Sequence, residues 1–369
     1  MRSTRHLLAG AAGTKERAML APPPLPRNLE ASFRDLDSTK PETRVSAIHD
    51  LLRHARGDDA VRARAIPVLE MRLADVTPKV RAAAAVGLAD LVASETVPAL
   101  LRSVDDDDAY VRQMVLNALG ELGDARALPR LRKALTDKRG EMRYQAIIAF
   151  ARLCDDPKEV GRALLAATND DDDAVVHIAL RIAEERLDAG KPAFELLVTR
   201  ARALLESEST HLKVVAAILL GKSGEKEGNA LLLRVVRGDK IAGQSPEKED
   251  ERAAVELVGE LGLEEARPHL ERRAWGLKRL VRDTCVFHAK IALARMGHPR
   301  AIDEIMKDLE SPRPDVLGGA VVSAGRARLV EARARIEALA PGAVDAELVK
   351  EALAQLDPVK DEKKESETA

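Results

Sequence analysis

The chain has 369 residues, 46% hydrophobic and 33% charged, with only 2% aromatic. A core built from Ala, Leu, Val and Ile favours closely packed helices and disfavours a β-sandwich or barrel, which draws on aromatic and β-branched residues. Fifty-nine Lys and Arg against sixty-one Asp and Glu leave a net charge of -2, so no global attraction for nucleic acid or an anionic membrane exists, and two cysteines exclude a disulfide framework or a Cys-only zinc site.

Residues 1–37 contain Pro22-Pro23-Pro24-Leu25-Pro26 and no repeat, and read as an ill-ordered or partly helical leader with a stiff extended segment. The apolar patch near Leu7 and Leu8 is too short for a normal signal peptide, and no run approaches the ~18 residues of a membrane span, so a cytoplasmic protein is expected.

From residue 38 to 356 the sequence repeats. Val80, Val111 and Met142 stand 31 residues apart, each followed by Arg, and Pro67, Pro98 and Pro129 step by the same 31. Extending the register gives nine anchors: Thr43, Val80, Val111, Met142, Val175, Leu212, Asp250, Cys285 and Val316. The copy at Asp105–Asp124 shows the unit. Capping acids precede a helix whose stripe is Val111, Val115, Ala118, Leu119 and Leu122; Gly123-Asp124 ends it; Leu128, Leu131 and Leu135 form the stripe of a second helix, which Pro129 begins or kinks. One such hairpin cannot bury its face alone, but stacked copies can, so the fold class is all-α, an α-solenoid of about nine hairpin repeats. Arg237 to Asp250, with two glycines and a proline, reads as a long loop inside the array. Residues 357–369 form a charged tail expected to be disordered.

The stretch Asp106 through Asp124, with Val111-Arg112 and Ala118-Leu119-Gly120-Glu121-Leu122-Gly123-Asp124, resembles the HEAT-repeat family, in particular the short bacterial HEAT-like repeats also found in phycobilisome lyases. That resemblance covers most of the chain; it describes packing, and such solenoids host many roles. It implies a concave surface lined by one row of helices. It also implies a polar ladder, which the residues after the anchors, Arg44, Arg81, Arg112, Arg143 and Lys213, would form with turn carboxylates such as Asp75, Asp107 and Asp137; binding of phosphates by the same row is the competing reading.

No catalytic, cofactor or metal constellation is expected. The runs Asp105–Asp108 and Asp170–Asp173 lack calcium-loop spacing and read as helix caps. No His-Glu pair occurs, which argues against the di-iron chemistry of the HEAT-like deoxyhypusine hydroxylases, and the shortage of aromatics argues against base extrusion as in HEAT-like alkylpurine DNA glycosylases. Gly221-Lys222-Ser223 lacks the rest of a P-loop and reads as a helix end.

Positions two, six and ten past each anchor point away from the apolar stripe. Those expected to meet a protein partner are Gln113, Asn117, Tyr144, Ile148, Arg152, His177, Arg181, Ile218, Arg252, Phe287, Ile291 and Arg295. Tyr144 and Phe287 stand out in so aromatic-poor a chain; packing against a flanking repeat is their alternative role. The expected function is a non-catalytic scaffold that binds a protein partner. The alternatives are a phycobilisome-lyase-like protein holding a tetrapyrrole and its acceptor, and nucleic-acid binding through Arg rows.

Overall fold

The computed structural model describes residues 28–191, 194–276 and 284–356; the Pro-rich segment and the charged tail lie outside them. The chain divides into two compact units, Met1–Thr96 and Val97–Ala369. All regular structure among the described residues is helical apart from one isolated bridge between Ile241 and Gln244.

The first unit holds α1 (Leu29–Asp35), α2 (Pro41–Ala55), α3 (Asp59–Arg72) and α4 (Pro78–Asp90). α1 is the helical part of the expected leader; the side chain of Asn28 caps it by accepting from Ala31 N–H at 2.8 Å. α2 packs on α1, α3 and α4.

The second unit holds α5 (Val97–Arg102), α6 (Ala109–Leu122), α7 (Leu128–Ala134), α8 (Gly140–Leu153), α9 (Pro157–Ala167), α10 (Asp173–Asp188), α11 (Glu195–Leu204), α12 (Thr210–Lys222), α13 (Asn229–Arg237), α14 (Lys248–Glu260), α15 (Arg267–Trp275), α16 (Val286–Arg295), α17 (Pro299–Asp308), α18 (Pro314–Ala327), α19 (Arg333–Glu337) and α20 (Ala346–Leu356). Here α6, α8, α10, α12, α14, α16, α18 and α20 pack each on the next, while the intervening helices pair with their neighbours from one side. Each unit is therefore a stretch of α-solenoid.

Eight of the nine anchors are the third residue of their helix, and Cys285 immediately precedes the ninth. Leu348, 32 residues past Val316, holds the same place in α20, the last described helix of this row. Pro98, Pro129 and Pro268 are second residues of α5, α7 and α15, where their missing N–H is not needed; Pro67 is the exception, inside α3. The Arg237–Asp250 loop ends two residues early, at Lys248, and Thr210 Oγ1 at the head of α12 pins it by donating to the carbonyl of Ile241 at 2.5 Å.

Two devices join successive hairpins. The first is a seam of small residues nine past the anchor: Gly120, Gly221, Gly259, Gly325, Ala89, Ala151 and Ala294. A Cβ added at Gly120 would stand 2.8 Å from Ala149 Cβ, and one at Gly259 2.5 Å from Ala292 Cα, so the next helix of the row closes directly onto the backbone. The second device is the arginine after the anchor, which is two-handed. One nitrogen donates to a carbonyl six residues back: Arg44 to Ser38 at 2.7 Å, Arg81 to Asp75 at 3.0 Å, Arg112 to Asp106 at 2.9 Å and Arg143 to Asp137 at 2.9 Å. From Arg44, Arg112 and Arg143 another reaches a later turn or helix start, at Asp75 (2.8 Å), Glu141 (3.2 Å) and Asp170 (2.6 Å). The expected partner was the carboxylate of the turn beside each arginine. That turn supplies its carbonyl instead, and the following repeat supplies the acid. The acidic runs are occupied by this work and by capping: Asp108 and Asp172 cap α6 and α10, Asp170 and Asp171 hold Arg143, and Asp105 pairs with Arg130.

Candidate functional site

All the expected partner-facing residues lie in the second unit. Gln113 and Asn117 on α6, Tyr144 and Ile148 on α8, His177 and Arg181 on α10, Arg252 on α14 and Arg295 on α16 are half-buried; Arg152 is exposed, and Phe287 keeps 39% of its surface. Ile218 and Ile291 are corrections. At 0% and 1% exposure both belong to the apolar core with Leu232 and Leu257. On α12 every residue from Val214 to Gly221 is buried, so that helix has no outward apolar position to offer. Side chains of flanking helices also meet across it: His177 on α10 reaches Asp250 on α14 at 3.4 Å, and Arg326 on α18 reaches Glu256 on α14 at 2.9 Å, each pair skipping one helix of the row. Six residues past an anchor is outward-facing only where the neighbours do not close over it.

Within the second unit the repeat rules fail twice, in the same place. Nine past the anchor, α10 carries Glu184 instead of a small residue, 3% exposed. Arg181 at 2.5 Å and Lys222 at 2.8 Å neutralise it. At the anchor itself, α14 carries Asp250, 2% exposed, where the other helices of this unit's row place Val, Met, Leu or Cys. Buried carboxylates in positions that packing assigns to Gly and Val are costly unless paired, and such departures mark sites rather than scaffold.

Around these two acids the polar groups converge. The His177 and His211 rings lie edge to face with centroids 6.4 Å apart. His211 Nδ1 faces Glu247 Oε1 at 3.6 Å. One ligand atom each from His211, Glu247 and Asp250 falls within 4.8 Å of the others. Burial disfavours the charge on Arg181, yet Glu184, Asp250, Glu185 and Glu249 outweigh it and hold the guanidinium above its ordinary value; Lys222 is raised in the same way, against burial, by Glu184 and Asp188. Burial pushes the Glu185 carboxyl up, and burial with the nearby Glu247 charge pushes the Tyr144 hydroxyl up. Glu184, His211, Glu247 and Asp250 were not foreseen as site residues. The signal for two of them was present, as breaks in the small-residue seam and in the apolar anchors; the pairing with His211 needed the fold.

The outward groups divide by whether they are satisfied. Arg295 is held by Glu260 at 2.9 Å and by the carbonyl of Arg326 at 3.0 Å. By contrast, the Gln113 and Asn117 amides, the Tyr144 hydroxyl and the Arg252 guanidinium make no side-chain hydrogen bond or ion pair among the described residues, and Arg252 Nε is also shut off from solvent. Cys154 and Cys285 are buried and form no disulfide, and burial pushes the Cys154 thiol up, away from the thiolate a nucleophile needs. No described helix is long and apolar enough to cross a membrane.

The sequence profile of the HEAT repeats matches residues 66–151 and 104–185, so the chain carries HEAT repeats there, as the Asp106–Asp124 pattern implied. No curated protein sequence matches the chain. Among solved structures it is similar to YibA of Escherichia coli, with 16% identity over 73% of this chain and 93% of that one and a TM-score of 0.49. It is also similar to the complex of CpcE and CpcF of phycocyanin lyase from Nostoc, with 17% identity over 79% and 98% and a TM-score of 0.35. A third likeness is to human deoxyhypusine hydroxylase, with 18% identity over 82% and 96% and a TM-score of 0.30.

Proposed function

We propose that the chain is a non-catalytic scaffold that binds a protein segment along the outward row of α6, α8, α10 and α14. The observation that supports this reading is the set of unused polar groups there. Where arginines are mostly held by carboxylates or carbonyls, Arg252 has neither among the described residues, and Gln113, Asn117 and Tyr144, earlier in the same row, are likewise unspent. Amides and a hydroxyl on a rigid helical row suit the backbone and side chains of an extended or helical segment, and a half-buried tyrosine with a free hydroxyl is a typical anchor. Ile148 and Phe287 add apolar contact. Acids around Arg181 favour a segment that brings its own positive charge.

The test is affinity capture from native lysate with the full-length chain as bait. The expected result is a protein recovered by wild type and lost with Tyr144→Ala/Arg252→Ala, at unchanged thermal stability. Equal recovery by both baits removes the row from the interface, and recovery of pigment or nucleic acid alone removes the scaffold reading.

A further inference from the structure

His211 sits in the first turn of α12, and Glu247 and Asp250 lie at the head of α14. The Thr210–Ile241 hydrogen bond ties the connecting loop to α12, so the three side chains are held together before anything binds. Two facts are not accounted for by helix capping. His211 Nδ1 is buried without a hydrogen-bond partner, and the 3.6 Å to Glu247 is too long to be one. Asp250 is buried at an anchor position, and the one side chain that reaches it, His177 Nε2, stands at 3.4 Å, a weak contact for a carboxylate so withdrawn from water. An imidazole nitrogen without a hydrogen bond, grouped with two carboxylates one of which is buried, is an arrangement that a cation would satisfy.

We propose that His211, Glu247 and Asp250 bind a divalent transition-metal ion of the zinc class, with His177 as the outer group that orients Asp250. Donors around a tetrahedral ion with bonds of about 2.1 Å stand about 3.4 Å apart, close to the His211–Glu247 separation. An imidazole nitrogen with two carboxylates selects zinc or cobalt over calcium and magnesium, which take oxygen alone. The charges facing the site are Glu249, which adds to the two ligand carboxylates, and Arg181, which is paired with Glu184 but also interacts with Asp250. Three protein ligands leave a fourth coordination position for water or a ligand.

The experiment uses the full-length chain, stripped with chelator and titrated with zinc chloride by calorimetry and against a chromophoric chelator. One equivalent is expected to bind, with calcium and magnesium failing to displace it, and cobalt is expected to give the visible absorption of a tetrahedral site. His211→Ala and Glu247→Gln, both at partly exposed positions whose folding circular dichroism verifies, are expected to weaken zinc binding at least about 10-fold. Absence of stoichiometric binding overturns the proposal, as does stoichiometric binding that survives both substitutions or that calcium matches.

Discussion

Arg143 on α8 grips Asp170, 27 residues further along, with two of its nitrogens at 2.7 and 2.6 Å from the two carboxylate oxygens, while its third holds the carbonyl of Asp137. Both side chains are nearly out of solvent, at 13% and 10% exposure. Arg143→Ala leaves that carboxylate without its bidentate partner and should destabilise by about 1–3 kcal/mol, and Arg143→Lys should recover only part of it because an ammonium cannot span both oxygens. Urea midpoints by circular dichroism measure the difference.

The same pairs carry a pH dependence. Burial opposes the charge on Asp75, but Arg44 and the Thr77 N–H hold its carboxyl below the ordinary range; Arg143 does so for Asp170, and Arg139 brings Asp137 down to about 2. A carboxyl depressed by folding contributes stability that is full above its unfolded value near 4 and is lost as pH falls through the folded one. Urea midpoints should hold down to about pH 5 and fall steeply between about pH 4 and 2. The fall should be shallower in Arg143→Ala, where Asp170 has already returned to an ordinary value.

The seam glycines separate from the others. Gly259→Ala puts a Cβ against the backbone of Ala292 and should cost about 1–3 kcal/mol, whereas Gly318→Ala, also within a helix but with nothing within 4 Å, should stabilise by about 0.5–1 kcal/mol. Thermal melts of the two variants should move in opposite directions.

Glu184→Ala strands Arg181 and leaves Lys222 only Asp188, in a mostly buried setting at 13% and 16% exposure, and should cost about 2–4 kcal/mol. A Glu184→Ala/Lys222→Met pair should recover much of that loss, which a double-mutant cycle in urea would read as coupling.

A thiol reagent should find neither Cys154 nor Cys285 in the native chain and both after unfolding in denaturant.

The sequence exposed the repeat because packing is periodic: Val80, Val111 and Met142 sit at one depth in successive helices, so spacing alone located the third residue of nearly every helix of the row. Cap and ladder chemistry was legible for the same reason, though not the choice between the adjacent carboxylate and the next one. What spacing could not supply was anything set by three helices at once. Ile218 and Ile291 look outward on their own helices and are covered by neighbours. His211 meets Glu247 and Asp250 only because a loop of irregular length folds back on α12. Glu184 and Asp250 were visible as exceptions, but an exception shows its meaning only when its partners are in place.

The two-handed arginines stop at α8, whose Arg143 reaches the turn before α10; α10 itself places Val176 after its anchor. α12 offers Lys213, which has no such grip, and α14, α16 and α18 place Glu251, Val286 and Leu317 after the anchor. Within the second unit the early joints are thus riveted turn to turn, and the later ones combine apolar contact and the glycine seam with helix-to-helix ion pairs such as Lys222–Glu184 and Arg295–Glu260. Under tension, or in fluctuation, bending would concentrate past α10, beyond the last rivet, and a ligand spanning α8 to α12 would straddle the boundary between the stiff and the compliant stretch.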